Sequence, residues 1–103
     1  MTIQYNISNT GEEDVRLEET LNILVNNALS RFEGKITRLE VHLSDENSHK
    51  EGQNDKRCLL EARIAGLQPI AVTSNANSFE EATKMATGKL KNKLETVLGK
   101  LNN

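Results

Sequence analysis

Ile3, Tyr5 and Ile7 alternate with Thr2, Gln4 and Asn6 at the start of the chain. This is the two-residue period of a strand with one buried face, and it predicts a first strand over Met1 to Ser8. From about Glu12 to Phe32 the period lengthens. Leu17, Leu21, Leu24, Val25, Ala28 and Phe32 make a helical stripe, and Gly34 stands where a C-terminal cap belongs. A second strand is expected from about Lys35 to Ser44, where Leu39, Val41 and Leu43 alternate with Arg38, Glu40, His42 and Ser44. Asp45 to Asp55 is polar throughout and contains Gly52, so it is expected to be a solvated loop. Cys58, Leu60, Ala62 and Ile64 mark a third strand. A turn at Ala65 to Pro69 leads into a fourth, carrying Ile70 and Val72, and these two should form a hairpin. Ser78-Phe79-Glu80-Glu81 has the form of a capping box. Behind it, Phe79, Ala82, Ala86, Leu90, Leu94, Val97 and Leu101 recur at three- and four-residue steps, predicting a second helix that runs almost to the end.

The order β-α-β-β-β-α predicts an α+β fold, a two-layer sandwich in which a four-stranded sheet carries two helices on one face, in dsRBD-like form. A β-α-β crossover makes strands one and two parallel, and short turns make the rest an antiparallel meander. Both helices then run in the same direction. Neither a repeat nor a linker divides the sequence, so residues 1–103 are expected to form a single domain.

Composition narrows the classes. Hydrophobic residues make up 36% and charged residues 27% of 103 positions, in regular patterns, which excludes a disordered or fibrous chain. The lone cysteine, Cys58, excludes an internal disulfide and a Cys-rich zinc site and fits a reducing, cytoplasmic setting. No apolar run approaches the ~18 residues needed to span a bilayer, and the first residues lack a signal-peptide pattern, so neither export nor membrane contact is expected.

Reactive chemistry is not indicated. Alternation puts His42 and Cys58 on opposite faces of neighbouring strands, which separates a possible base from a possible nucleophile. His49 lies among Asp45, Glu46, Glu51 and Asp55 without the spacing of a metal loop. The six glycines are dispersed singly, so no phosphate-cradling loop is formed. No catalytic residue, metal site, cofactor or small-molecule substrate is expected.

The net charge of −2 argues against nucleic-acid binding only if the charge is evenly spread. It is not. Helix one opens on Glu12, Glu13, Asp14, Glu18 and Glu19 and closes on Arg31, with Lys35 and Arg38 beyond. Helix two opens on Glu80 and Glu81 and continues through Lys84, Lys89, Lys91, Lys93 and Lys100, against a lone Glu95. With parallel helices the basic ends coincide, and Arg63, near the end of strand three, joins them. Asp45, Glu46, Glu51 and Asp55 belong to the other end. The candidate RNA-contacting set is therefore Arg31, Lys35, Arg38, Arg63, Lys89, Lys91, Lys93 and Lys100. Lys89 and Lys93 lie one turn apart on a flank expected to face the Arg31 end of helix one. The plainer alternative is that these charges only complement the helix dipoles, each contributing about 0.3–1 kcal/mol. Tyr5, Phe32 and Phe79 sit on buried faces, so RNA contacts would go to phosphates and shape, not to stacked bases.

Three stretches resemble the ribosome hibernation promoting factor family, which includes proteins labelled sigma-54 modulation or S30EA ribosomal proteins. They are Leu39-Glu-Val-His-Leu-Ser-Asp-Glu-Asn47, Asp55-Lys-Arg-Cys-Leu-Leu-Glu-Ala-Arg63, and Ser78-Phe-Glu-Glu-Ala-Thr through Gly88-Lys-Leu-Lys-Asn-Lys-Leu94. The first two are similar to a small single-domain branch. The resemblance, which spans essentially the whole chain, implies the sandwich described above. It also implies a monomer that binds the small ribosomal subunit, its 16S rRNA and neighbouring ribosomal proteins, where messenger and transfer RNAs would sit, and so inactivates or stores ribosomes. Arg31 and Lys89 match basic family positions most directly, with Lys93 close by. Ala28, Asn92 and Thr96 stand where better-known members often carry a base, and Gly34 replaces a lysine, which implies a shifted or weaker footprint. The C-terminal dimerisation domain of longer members is not present in the sequence, so direct bridging of two ribosomes is not expected. A different class remains open: a protein-interaction module that binds a partner through its acidic pole or its 45–55 loop.

Overall fold

A computed structural model describes residues 1–8, 14–46 and 53–101. The elements are β1 (Thr2–Ser8), α1 (Asp14–Ala28), a 3-10 turn (Ser30–Phe32), β2 (Ile36–Asp45), β3 (Lys56–Ile64), β4 (Ile70–Ala76) and α2 (Phe79–Leu101). The sheet order is β1-β2-β3-β4, with β1 parallel to β2 and the other pairs antiparallel. This is the α+β arrangement expected from the hydrophobic pattern.

Alternation fixes which sheet face is covered. Leu39, Val41 and Leu43 of β2 pair in register with Ala62, Leu60 and Cys58 of β3, and all six are buried. Leu21 and Val25 of α1, Leu29 just beyond it, and Ala82, Ala86, Leu90 and Leu94 of α2 join them in one core on that face. α1 packs on β1 and on α2, while α2 lies over β3 and β4. Because both helices return antiparallel to β1, they run parallel to each other. Ile3, Tyr5 and Ile7 are only half-buried, since β1 is an edge strand. The Tyr5 hydroxyl donates to Asn22 Oδ1 at 3.2 Å, and burial, reinforced by Glu18, pushes its pKa up to about 12.

Local signals acted as expected at α2, where the Glu81 N–H donates to Ser78 Oγ at 3.1 Å. Helix one differs from its expected form. The α-helix closes at Ala28, and the chain tightens into the 3-10 turn, with Phe32 N–H bonding Leu29 O at 2.9 Å. This change of pitch buries Leu29 and Phe32 together, and the Ser30 hydroxyl bonds Asn27 O at 3.3 Å beside it. Gly34 is not a left-handed cap. The left-handed glycine among the described residues is Gly66, at φ +82°, in the turn closed by Leu67 N–H on Ile64 O at 3.0 Å.

The 45–55 loop also departs from a uniformly solvated segment at its ends. Asp55 is 6% exposed, and Lys56 Nζ bridges Asp45 Oδ2 at 2.9 Å and Asp55 Oδ1 at 3.2 Å. Glu46 N–H closes the neck on Asp55 O at 2.8 Å. His49, Glu51 and Gly52, like Gly11, Glu12 and Glu13 before α1, lie outside the described residues.

Candidate nucleic-acid interface

The basic residues divide among three surfaces. The first is the end of the molecule where α1 passes through the 3-10 turn into β2. Arg31 occupies that turn, its guanidinium 4.9 Å from the centre of the Phe32 ring, and Lys35 is exposed just before β2. Arg31 Nη2 also reaches across to Glu95 Oε1 at 2.7 Å, tying the end of α1 to the C-terminal half of α2. Both partners are well exposed. At about 100° per residue, Lys91 falls on the same flank of α2 as Glu95 and is half-buried there.

Lys89 and Lys93 form the second surface, which is not where the sequence pattern placed them. They do not face Arg31. Because α2 lies over β3 and β4, its flank away from α1 overhangs the β4 edge, and that flank carries these two lysines. Lys89 Nζ donates to Thr73 O at 2.8 Å. Lys93 lines a groove of about 470 Å³ with Pro69, Ile70, Ala71, Asn92, Thr96 and Val97. Lys100 belongs to the last turns of α2, but its side chain lies outside the described residues.

Arg38 and Arg63 make the third group. They are register partners at the same end of the sheet, yet they project from the face that the helices leave open. There Glu40 stands opposite Glu61, and the four side chains interlock. Arg38 Nε lies 3.4 Å from Glu40 Oε2, while Arg63 Nη2 is 3.6 Å from Glu40 and 3.3 Å from Glu61. Arg38 also bonds Gln4 Oε1, and His42 Nε2 approaches Glu40 at 3.3 Å. The carboxylates neutralise most of the positive charge on this face.

Opposite the basic end lie Glu80 and Glu81 in the first turn of α2 and the Asp45–Asp55 neck of the loop, although Lys56 and Arg57 temper that acidity. The charge dipole is therefore present but incomplete. α1 itself has no base in its last turn, and Arg31 stands in the 3-10 turn that continues it, where it also lies near the helix's C-terminal end.

Cys58 is fully buried, and burial pushes its thiol up to about 11, with the Thr83 hydroxyl offsetting part of the effect. His42 lies on the opposite sheet face, so the two form no dyad. Among the described residues there is no cluster of metal-ligating side chains, and no helix is long and apolar enough to cross a membrane.

The family model described as sigma 54 modulation protein / S30EA ribosomal protein matches residues 7–102. The chain belongs to that family. Among solved structures, this S30EA-type chain is similar to the Protein Y N-terminal domain of Thermus thermophilus, at 18% identity and a TM-score of 0.66, covering 94% of this chain and 99% of that one. It is also similar to a ribosomal subunit interface protein from Coxiella burnetii, at 14% identity and a TM-score of 0.71, covering 96% and 99%. At these identities the likeness shows a shared fold. No curated relative matches the chain.

Two features of the candidate interface were not expressed in the sequence pattern, namely the Arg31–Glu95 bridge and the position of Lys89 over a sheet edge. Both join residues far apart in the chain, and both depend on how α2 is set laterally on the sheet. The outward direction of Arg38 and Arg63 is different, because alternation with the buried Leu39 and Ala62 already implies it.

Proposed function

We propose that this protein is a cytoplasmic ribosome hibernation factor that binds the small subunit as a monomer and blocks it by occupancy, without catalysis. The observation that carries this reading is the parallel course of the two helices, which brings Arg31, Lys35 and the C-terminal half of α2 to one end of the molecule, while Lys89 and Lys93 extend the basic surface along the outer flank of α2. Membership of the S30EA family supports the ribosome as the target. The contacts would go to 16S rRNA phosphates, because the exposed cations are Lys and Arg and the aromatic rings are committed to the core. Arg31, Lys35, Lys89, Lys91, Lys93 and Lys100 would make the primary contacts. Arg38 and Arg63, compensated by Glu40 and Glu61, would contribute less unless the RNA wraps the sheet edge.

Sedimentation through a salt series tests this. About six phosphate contacts predict a loss of roughly three orders of magnitude in affinity over a fourfold rise in salt. The protein should travel with small subunits at low salt and be released at high salt. Persistence at the top of a low-salt gradient would remove the reading.

A further inference from the structure

β4 has a free edge, and its backbone is turned outward in a way the hydrogen bonds reveal. The Thr73 carbonyl accepts from Lys89 Nζ at 2.8 Å, so it points away from β3. In an antiparallel strand the N–H and C=O of one residue share a side and alternate residues share that side, so Ala71 and Asn75 also present their backbone groups outward. Among the described residues, this row has one partner, the Lys89 ammonium. Beside it, the groove of about 470 Å³ between β4 and α2, lined by Ile70 and Ala71 from the strand and Val97 from the helix, runs on into a second of about 470 Å³ through the shared Ala71, Asn92 and Lys93. The trough therefore combines unpaired strand backbone, a partly apolar lining and two lysines. An edge like this either is blunted or takes another strand.

We propose that the β4–α2 trough is a docking site for an extended acidic protein segment, which adds to the sheet edge through its main chain and sets its carboxylates against Lys89 and Lys93. Charge complementarity selects the occupant. A neutral strand would leave both ammonium groups beside its side chains, and a basic one would be repelled. Lys89 acts as a removable cap: its ammonium satisfies the Thr73 carbonyl in the free protein and turns to a carboxylate when a strand replaces it. The inference goes beyond ribosome binding and stands without it. The two readings meet at Lys89 and Lys93, where a docked segment would compete with phosphate.

The test uses a blocked heptapeptide of alternating glutamate and valine, added to the full chain and followed by backbone NMR and amide exchange. The Ala71, Thr73 and Asn75 amides should shift and gain protection. The lysine-for-glutamate peptide should leave them unchanged, and N-methylation of the glutamate peptide on its pairing edge should weaken binding about tenfold, the loss of one or two hydrogen bonds. Ala71→Pro removes one outward N–H without touching the β3 ladder, and proline is tolerated on an edge. This variant should lose the peptide about equally while keeping its fold by circular dichroism and its sedimentation with small subunits. Equal binding of both peptides, full binding by Ala71→Pro, or stronger protection of these amides by a single-stranded RNA oligonucleotide would each overturn the proposal. None of those outcomes bears on whether the protein binds ribosomes.

Discussion

Arg31 and Glu95 show how one neighbour can set the strength of a binding residue. Their 2.7 Å bridge is exposed at both ends, so it contributes little to stability, about 0–1 kcal/mol. Its larger effect is on binding, since a phosphate approaching Arg31 must displace or tolerate a carboxylate. Glu95→Gln should therefore tighten binding to small subunits about two- to five-fold, the equivalent of that same energy, with almost no change in melting temperature. Titration at constant salt measures it, and weaker binding by the variant would mean that Glu95 positions Arg31 for its contact. Cys58 supports a prediction of another kind. Burial holds its thiol near 11 against an ordinary 9.0, so the unfolded chain loses that proton first as pH rises. The associated stability, about 2–3 kcal/mol, is complete below pH 9 and should drain away between about pH 9 and 11. Tyr5, raised to about 12, acts in the same direction at still higher pH. Cys58→Ala should cost about 1 kcal/mol at pH 7, flatten the alkaline fall in melting temperature and leave ribosome binding intact. A stable variant that fails to bind would reveal a role for the sulfur.

At the level of elements, alternation and helical spacing made the sheet faces and α2 legible, because burial on one face imposes those periods directly. The break in helix one was not legible. A hydrophobic stripe that continues through Ala28 and Phe32 fits a single helix, and only the packing of Leu29 together with Phe32 shows that the last turn tightens. The glycines were ambiguous for a related reason. Gly34 follows a helix and looks like a cap, yet it is Gly66 that takes the left-handed backbone, at φ +82°. Gly66→Ala should consequently destabilise the protein by about 1–2 kcal/mol, whereas Gly34→Ala should be nearly neutral, its added Cβ meeting nothing within 4 Å. Chemical denaturation of the two variants makes the comparison, and equal losses would show that the β3–β4 turn does not depend on its glycine.

On the scale of the whole molecule, the candidate site was half legible. Acidic helix starts and basic helix ends predicted a dipole, and parallel helices align those ends, but the sequence does not say how far α2 is displaced toward the β4 edge. That displacement sends Lys89 and Lys93 away from Arg31, so an RNA surface that uses all three must pass over the outer side of α2. The double reversal Lys89→Glu and Lys93→Glu tests this directly. It should abolish co-sedimentation with small subunits at moderate salt, since it replaces two phosphate contacts with two repulsions. The structural cost should stay below about 1 kcal/mol, because both side chains are exposed and the lost bond to Thr73 O is at a solvated edge. Lys84→Glu is the control: an equal reversal per residue on the same helix, on the opposite flank and nearer Glu80 and Glu81. It should weaken binding far less. If it proves as damaging as the double variant, binding follows net charge and not the basic end. If the double variant binds normally, the contact surface is confined to the Arg31 side, and the lysines over β4 are free to serve the strand edge alone.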